Sequence, residues 1–277
     1  MDVCLFLSGT TVRDWQAEAL ERVVAADDVT ITSILYSAAE SDRSLGDTLR
    51  RGLEVREWAV VNALNAWLRP RGVGTERVPV DRVLDRDGIT ERAVRPRVVD
   101  GWKQEIPGEV VDAIAAEADV AVRFGFNFIV GPVLTAFEYG VLSYHHGDLR
   151  EYRGQPAGFW EFVHDADTAG ITVQRLTPDI DAGEIAALRT VDIGDCHAWE
   201  AVRRRLYAES GDLLLPALRA VRDGRAREPE RLGDVYTLPS GRPVFEFAVR
   251  NAVGQLRERL GGTSDGGGRD RRSSGVG

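Results

Sequence analysis

Lysine is nearly missing from this 277-residue chain. Lys103 is the only one, so 34 of the 35 basic residues are arginine. Acidic residues number 44, and the formal net charge is -9. This balance argues against a general nucleic-acid-binding surface, although it leaves room for a local basic patch.

Cysteine is scarce, and long apolar runs are missing. Cys4 and Cys196 are the only two cysteines and lie far apart, which does not fit a disulfide framework or a cysteine metal motif. Cys4 stands in an apolar run and is expected to be a buried small hydrophobe. No apolar stretch reaches ~18 residues, so no membrane span is expected. The N-terminus lacks the basic segment of a signal peptide, and the sequence predicts a soluble, cytoplasmic protein.

The opening of the chain alternates between strand-like and helix-like segments. Residues 3–7 and 29–36 are apolar, as in buried strands. Between them, apolar residues recur at helical spacing from Val12 to Val23. Strand, helix, strand predicts a parallel α/β sheet. No G-x-G-x-x-G pattern follows the first strand, so no dinucleotide site is expected there.

The rest of the chain continues the same alternation. Residues 82–97 lack a clean period and predict a loop, and residues 261–277 predict a disordered tail. Asp195 is expected to cap the helix that follows it. Helices are predicted at 44–68, from 107 to about 118, and at 132–138, 159–164, 197–222 and 242–260; strands are predicted at 78–80, 119–123, 139–144, 170–176 and 185–193.

Two polar segments follow or separate predicted strands, where ligands bind in open α/β sheets. Residues 143–154 contain the adjacent His145 and His146, and residues 177–184 contain Asp181. A histidine at a strand end serves as an acid or electrostatic catalyst near neutral pH, and a nearby carboxylate orients it. From the residues alone, a catalytic pair, ordinary loop residues and metal ligands all remain open.

Three ordered blocks resemble the formyltransferase family. Residues 143–154 resemble its Asn-x-His segment with the closing Arg-Gly, and residues 165–172 its acidic-Thr-Gly turn into a strand. Residues 179–185 resemble its Asp-x-Gly loop. The resemblance implies an α/β, Rossmann-like formyltransferase fold, with a mostly parallel sheet and flanking helices. Residues 1–195 would form the catalytic domain and residues 196–260 a mainly helical C-terminal extension.

The resemblance also implies a reaction, the transfer of a formyl group from 10-formyltetrahydrofolate to an amine. His145 would stabilise the oxyanion and assist proton transfer, Asp181 would orient and charge His145, and Ser143 stands at the family's asparagine. No metal is required. The expected acceptor is a small-molecule amine such as an amino sugar or a nucleotide, with aminoacyl-tRNA as the one nucleic-acid candidate. The pterin is expected against Phe126, Asn127, Phe128, Ile129, Asp179 and Gly183, and the acceptor near His146, Asp148 and Arg153.

The chain departs from the family pattern at two places. Ser143 is a shorter donor than asparagine, and loss of an oxyanion donor costs ~10²–10³ in rate. The common Ser-Leu-Leu-Pro after the histidine is replaced by residues 147–150, Gly-Asp-Leu-Arg, which indicates a divergent subgroup. Two alternatives therefore stay open. One is a non-catalytic folate- or metabolite-binding module on the same fold, and the other is a metal-dependent hydrolase that uses His145, His146 and Asp181.

Overall fold

The computed structural model describes residues 1–38 and 76–261, and fourteen strands lie within them. Seven of these form the main sheet, in the order β13-β12-β10-β8-β1-β3-β5. The strands are β1 (Asp2–Leu7), β2 (Thr11–Arg13), β3 (Thr30–Ser37), β4 (Arg77–Pro79), β5 (Thr90–Val94), β6 (Arg97–Val99), β7 (Lys103–Glu105), β8 (Val120–Arg123), β9 (Ile129–Val130), β10 (Val141–His145), β11 (Tyr152–Gly154), β12 (Thr168–Arg175), β13 (Glu184–Asp192) and β14 (Asp234–Tyr236).

The main sheet is mostly parallel, as predicted. Strands β5, β3, β1, β8 and β10 pair in parallel, and β12 and β13 are added in antiparallel orientation. The described helices are α1 (Asp14–Val24), α2 (Gly108–Ala115), α3 (Val133–Ala136), α4 (Phe159–Val163), α5 (Trp199–Ala208), α6 (Leu214–Arg222) and α7 (Arg242–Gly261), with a 3-10 turn at Val80–Arg82.

Apolar side chains cover both faces of this sheet, because residues alternate between the faces along each strand. On one face, strand residues such as Leu5 and Leu142 belong to the larger core with residues of α1, α5 and α6. On the other face, residues such as Phe6 and Val141 belong to a second core with α2 and α3. Cys4 lies in this second core and is fully buried, as predicted, and burial raises its pKa to about 12.

Two predictions about the described elements are wrong. Residues 82–97 were predicted as loop, yet β5 pairs in parallel with β3 at the edge of the main sheet. Four of its five residues are at least partly exposed, so the apolar alternation that identifies a strand is weak there. The helix predicted at 197–222 is two helices, α5 and α6. Between them the Ser210 hydroxyl donates to the carbonyl of Leu206, and Gly211 packs against Glu18.

A third prediction is also wrong, because the start of α5 is capped from a distant helix and not by Asp195. The Trp199 backbone N–H donates to Asn251 Oδ1 of α7 at 2.8 Å, whereas Asp195 pairs with Arg205. Phe247 of α7 is fully buried in the larger core, with its ring 5.6 Å from that of Trp199. The C-terminal helices therefore pack on the same core as the sheet, while the domain boundary at residue 195 stays a prediction.

Some predictions fall outside the described residues, namely the helix at 44–68 and the tail at 261–277 beyond the end of α7. Within residues 1–38 and 76–261, no helix combines the length and the apolar character needed to cross a membrane.

Candidate active site

A row of polar side chains crosses three neighbouring strands of the main sheet. Arg123 at the end of β8 is the register partner of Ser143 on β10, whose partner on β12 is Gln174. Since side chains alternate along a strand, His145 lies on the same face, two residues beyond Ser143. Ser143, Gln174 and His145 are buried. Buried polar groups need internal hydrogen-bond partners, and these partners define the site.

His145 lies between two acceptors. Its Nδ1 is 3.3 Å from Asp181 Oδ2, and its Nε2 is 2.9 Å from the carbonyl oxygen of Tyr152. A carboxylate and a carbonyl only accept hydrogen bonds, so a ring protonated on both nitrogens satisfies both partners and a neutral ring satisfies one. The two contacts thus hold the imidazole in a fixed orientation.

Asp181 comes from the loop between β12 and β13 and is held by three donors. Its Oδ2 accepts from the Gly154 N–H at 2.9 Å as well as facing His145, and its Oδ1 accepts from Gln174 Nε2 at 2.7 Å. The Asp181 backbone has φ +43°, in the left-handed region that non-glycine residues rarely adopt. Such an uncommon conformation persists where surrounding contacts determine it, and it often marks a functional position.

The side chain of Arg153 holds the same loop by donating hydrogen bonds to backbone carbonyls of the loop. Its Nε donates to the carbonyl oxygen of Asp181 at 2.9 Å and to that of Ile180 at 3.1 Å, and its Nη1 lies 3.4 Å from the Gly233 carbonyl oxygen. The sequence predicted Arg153 as a substrate contact. In the structure, its guanidinium is directed at these loop carbonyls, a position from which it orients Asp181.

Glycine is required at two positions around His145 and Asp181. A Cβ on Gly147 would lie 2.5 Å from His145 Nε2, so a side chain there would displace the imidazole. Gly154 has φ +93°, and a Cβ on it would lie 2.0 Å from the carbonyl oxygen of Tyr236 on β14. The close approach of β14 to β11 therefore depends on Gly154, whose N–H bonds Asp181.

The hydroxyl of Ser143 is bonded to a guanidinium. Its Oγ accepts from Arg123 Nε at 3.1 Å and from Arg123 Nη2 at 2.8 Å. Arg123 Nη1 donates to the carbonyl oxygen of Asn127 at 2.7 Å, which ties the β8 end to the following loop. Burial lowers the pKa of Arg123, and the charge of Asp181 opposes that effect. A guanidinium still remains charged at any physiological pH.

The loop predicted to line the pterin is already anchored to the protein. The Phe126 N–H donates to Ser8 Oγ and the Asn127 N–H to Gln104 Oε1. The ring of Phe128 lies 5.1 Å from that of Trp102, and the side chain of Ile129 is buried in the second core. In the other predicted segment, Asp179 is exposed and the Gly183 N–H donates to Gln174 Oε1. In the first loop, Asn127 is thus exposed, and Phe126 and Phe128 are partly exposed.

His146 lies on the opposite face of the sheet from His145. Its ring packs edge-on against Trp15 and Tyr207, at 5.2 and 4.8 Å between centroids, and its Nε2 is 3.0 Å from Ser210 Oγ. Burial, aided by the positive charge of nearby residues, lowers the pKa of His146 to about 3, so it is neutral at physiological pH. The structure does not bring His146 to His145 and Asp181.

Asp148 lies close to His145 but is paired with Arg150. The guanidinium contacts both carboxylate oxygens, at 2.6 to 3.1 Å, and the Arg150 N–H adds a hydrogen bond to Oδ1 at 2.9 Å. Burial alone would raise the pKa of Asp148, but the hydrogen bonds and charge of Arg150 together outweigh it and lower that pKa. Asp148 is therefore an anion that is already satisfied within its own turn.

Sequence reasoning missed three polar residues near the site, namely the buried Gln174 and Glu161 and the partly buried Arg123. Gln174 interrupts an apolar strand and Arg123 ends one, which is the signal that identifies them. Glu161 lies in α4 and is almost fully buried, and one of its carboxylate oxygens has no hydrogen-bond partner among the described residues. Burial raises its pKa to about 7.

The three side chains named for a metal-dependent hydrolase do not converge, because His146 faces away from His145 and Asp181. Within the part of the chain that the structure describes, no three His, Cys, Asp or Glu side chains group together in a way suited to a metal ion.

Comparison with known proteins gives a family and a fold. Residues 77–218 match the family model described as formyl transferase. A methionyl-tRNA formyltransferase from Anaeromyxobacter dehalogenans is 27% identical over 206 residues, which cover 74% of this chain and 55% of that protein. The chain thus spans little more than half of the length of this relative.

Two solved structures of other formyltransferases share this fold. An N-formyltransferase from Helicobacter canadensis, in complex with folinic acid and dTDP-3-aminofucose, has a TM-score of 0.54 at 9% identity and covers 92% of this chain and 81% of its own. A phosphoribosylglycinamide formyltransferase from Anaplasma phagocytophilum has a TM-score of 0.52 at 16% identity, covering 86% of this chain and 98% of its own.

Proposed function

The chain belongs to the formyl transferase family, and from that premise we propose that it transfers a formyl group from 10-formyltetrahydrofolate to an amine. The contact between His145 and Asp181 carries the proposal, because it joins two segments 36 positions apart that each match a family block. Gln174 and the Gly154 N–H support this contact by fixing the carboxylate. A fixed charge at the reacting group is a large contribution to catalysis.

In this proposal the residues divide the reaction between them. The acceptor nitrogen forms a bond to the formyl carbon, the bond from that carbon to the donor nitrogen breaks, and one proton passes from the acceptor nitrogen to the donor nitrogen. In its charged form, His145 gives a proton to the donor nitrogen as that nitrogen leaves, and it then takes the proton that the acceptor nitrogen loses. Asp181 orients the ring and stabilises its charged form. Arg153 acts through Asp181 as a positioning residue, since it holds the loop carbonyls.

The exposed and partly exposed residues of the loop 126–129 suit a folate donor. Phe128 and its neighbour Trp102 offer a partly exposed aromatic surface, and the Asn127 amide offers both a donor and an acceptor. We assign the pterin to the loop formed by Phe126, Asn127, Phe128 and Ile129 and to the turn with Asp179 and Gly183. When bound, the folate supplies the formyl group. We expect the acceptor on the side of Asp148.

We propose a small-molecule amine as the acceptor, because a net charge of -9 disfavours a polyanion as large as tRNA. The names of the relatives define the screen, which comprises an amino sugar nucleotide, phosphoribosylglycinamide and methionyl-tRNA. Formylation of methionyl-tRNA in preference to both small amines would replace this acceptor class with tRNA.

A second candidate function is folate binding without turnover. It is favoured by Ser143, whose hydroxyl is bonded to Arg123 and which supplies no amide donor. The two functions share the donor and differ in chemistry.

Two measurements on wild-type protein separate them. Thermal unfolding is followed with and without excess 10-formyltetrahydrofolate, and a ligand at ~100 times its Kd adds ~2.7 kcal/mol and raises the midpoint by several degrees. Release of tetrahydrofolate is then followed with hydroxylamine as a generic amine. A midpoint shift with turnover supports formyl transfer, and a shift without turnover supports the binding module. Absence of both the midpoint shift and turnover would contradict the proposal that 10-formyltetrahydrofolate is the donor.

A further inference from the structure

The charge of Arg123 has no carboxylate partner at salt-bridge distance within residues 1–38 and 76–261. Its hydrogen bonds go to a serine hydroxyl and a backbone carbonyl, both of which are neutral. Burying a charge without an opposite charge is costly, and the cost is recovered when an anion or a developing negative charge binds there. Arg123 is partly buried, so this cost is present in the unliganded protein.

The position of Arg123 relates it to the reacting group. It is the direct register partner of Ser143, so its side chain lies on the face that also presents His145. The charge of Asp181 acts on the guanidinium, which indicates that Arg123 and the His145–Asp181 pair share one electrostatic environment. Arg123 therefore borders the space in which we place the formyl group.

The donor inventory of Arg123 leaves hydrogens for a ligand. A guanidinium carries five N–H groups. The Nε–H and one Nη2–H point at Ser143 Oγ, and one Nη1–H points at the Asn127 carbonyl oxygen. One hydrogen on each terminal nitrogen thus lacks a partner within the described part of the chain. The two bonds to Ser143 and the one to Asn127 fix the plane of the guanidinium, which pre-organises these donors.

The hydroxyl of Ser143 is also arranged as a donor. Its oxygen accepts both hydrogen bonds from Arg123, so its own proton is the group left to donate. Among the described residues, this hydroxyl donates to the carbonyl oxygen of Tyr144 at 3.4 Å, a distance at which a hydrogen bond is weak. A hydroxyl next to a guanidinium charge is polarised, which makes it a stronger donor to a third group.

We propose that Arg123 and Ser143 together perform the task of the family's asparagine, by donating hydrogen bonds to the oxygen of the transferred formyl group. This inference rests on the proposed function. As the acceptor nitrogen bonds to the formyl carbon, an electron pair of the C=O bond moves to the oxygen, and the guanidinium stabilises the resulting charge. The pair returns when the bond to the donor nitrogen breaks, and the proton passes to that nitrogen.

A second use of Arg123 would be to bind a permanent anion on the acceptor, such as a phosphate or a carboxylate. The two uses differ in what they change. Binding of a permanent anion affects the KM of an anionic acceptor, whereas oxyanion stabilisation affects kcat with any acceptor. Hydroxylamine separates them, because it is uncharged at neutral pH and presents no anion.

The test compares Arg123→Met, Arg123→Lys, Ser143→Ala and the double variant Arg123→Met/Ser143→Ala with wild type. The matched control is Arg92→Met. Arg92 lies on β5 at the far edge of the sheet and pairs with Glu117 at 2.6 Å, so the control loses a charge of the same type away from the site. Each variant is first checked for folding by its unliganded thermal midpoint. Turnover with hydroxylamine and the midpoint shift with 10-formyltetrahydrofolate are then measured.

We expect Arg123→Met to lower kcat by ~10²–10³ while the donor still shifts its midpoint as in wild type. Arg123→Lys keeps the charge but not the fork of donors, so it should fall between Arg123→Met and wild type. Because Ser143 acts with Arg123, the double variant should lose about as much as Arg123→Met alone. Arg92→Met should keep wild-type turnover.

The inference is overturned if wild type turns over while Arg123→Met stays within about threefold of its kcat. It is equally overturned if Arg123→Met loses the donor-induced shift as fully as it loses rate, since Arg123 would then bind the ground state. Failure of the proposed function looks different, because wild type itself would then show neither turnover nor a shift.

Discussion

His145 and His146 are neighbours in the sequence and lie on opposite faces of the sheet. His145 faces a carboxylate and a backbone carbonyl, whereas His146 is surrounded by aromatic rings and bonds one serine. Alternation along a strand sends the two rings to different environments, although their residue type and position along the chain are almost the same. The lesson is that the face of the strand decides which histidine can do chemistry.

The two environments also differ in charge. Around His146, burial and the positive charges of His145, Arg13 and Arg203 lower its pKa to about 3, so the ring acts as a neutral packing group. Around His145, Asp181 provides a negative charge in direct contact. The end of β10 thus separates the aromatic surroundings of His146 from the ionic surroundings of His145, and four predictions follow from this comparison.

The largest effect on turnover is expected from Asp181→Asn, which changes the carboxylate that contacts His145. Asparagine can still accept from the Gly154 N–H but loses the charge that orients His145, so turnover with hydroxylamine should fall by ~10²–10⁴. Asp192→Asn, an exposed residue at the end of β13, is the control and should retain wild-type turnover. Wild-type turnover in Asp181→Asn would show that the contact with His145 is not used.

The next effect concerns Glu161, the buried acid near Asp148 and Tyr152. Burial raises its pKa from 4.5 to about 7, so the unfolded chain ionises this carboxyl first. Its contribution to stability is therefore full below pH 4.5 and lost as the pH rises through 7. The difference between the two pKa values corresponds to on the order of 3 kcal/mol.

Glu161→Gln removes this titration. Relative to wild type, the variant should gain unfolding free energy at pH 8 and much less at pH 5.5, as measured by urea denaturation. Glu109→Gln, at an exposed position on α2, serves as the control and should show no such pH-dependent gain. An equal difference between Glu161→Gln and wild type at both pH values would refute the shifted titration.

A smaller effect is expected from Arg153→Lys. Arg153 holds two loop carbonyls with a planar fork that lysine cannot reproduce, so the Asp181 loop should loosen and turnover should fall ~10-fold. Amide hydrogen exchange in residues 179–183 should become faster. Arg205→Lys, which alters an exposed ion pair with Asp195, is expected to change neither quantity. Unchanged exchange in Arg153→Lys would remove its positioning role.

The smallest effect concerns the titration of His146 in its aromatic surroundings. Because the pKa of His146 lies at about 3, its ring signals should not move between pH 5 and 8 in a two-dimensional NMR titration. The variant His146→Gln, which lacks this ring, identifies its signals in the spectrum. A titration of His146 near neutral pH would mean that its aromatic surroundings do not exclude the charged form.

Sequence reasoning predicted the parts of this structure that depend on local pattern. The strands around β1, β8 and β10 follow from apolar runs, and the contact of His145 with Asp181 follows from the order of the family blocks. The opposite placement of His146 follows from strand alternation alone. That argument was available from the sequence, but it required the strand to continue through residue 145.

The remainder depended on contacts between distant segments. β5 is an edge strand with exposed charged residues, so its pairing with β3 leaves little trace in the apolar pattern. The cap on α5 comes from Asn251, 52 residues from Trp199, and no local sequence pattern predicts this contact. Arg123 and Ser143 meet only because two strands pair in one register. Register between segments is a tertiary property, and a single sequence does not encode it locally.

The most direct test of the account is the turnover of a matched pair, His145→Gln and His146→Gln, with 10-formyltetrahydrofolate and hydroxylamine. Glutamine is uncharged in both, and at position 146 it can retain the bond to Ser210. We predict that His145→Gln loses ~10²–10⁴ in rate and that His146→Gln keeps a rate close to that of wild type. Equal losses in the two variants, or the larger loss in His146→Gln, would contradict the assignment of the chemistry to the ionic face of the sheet.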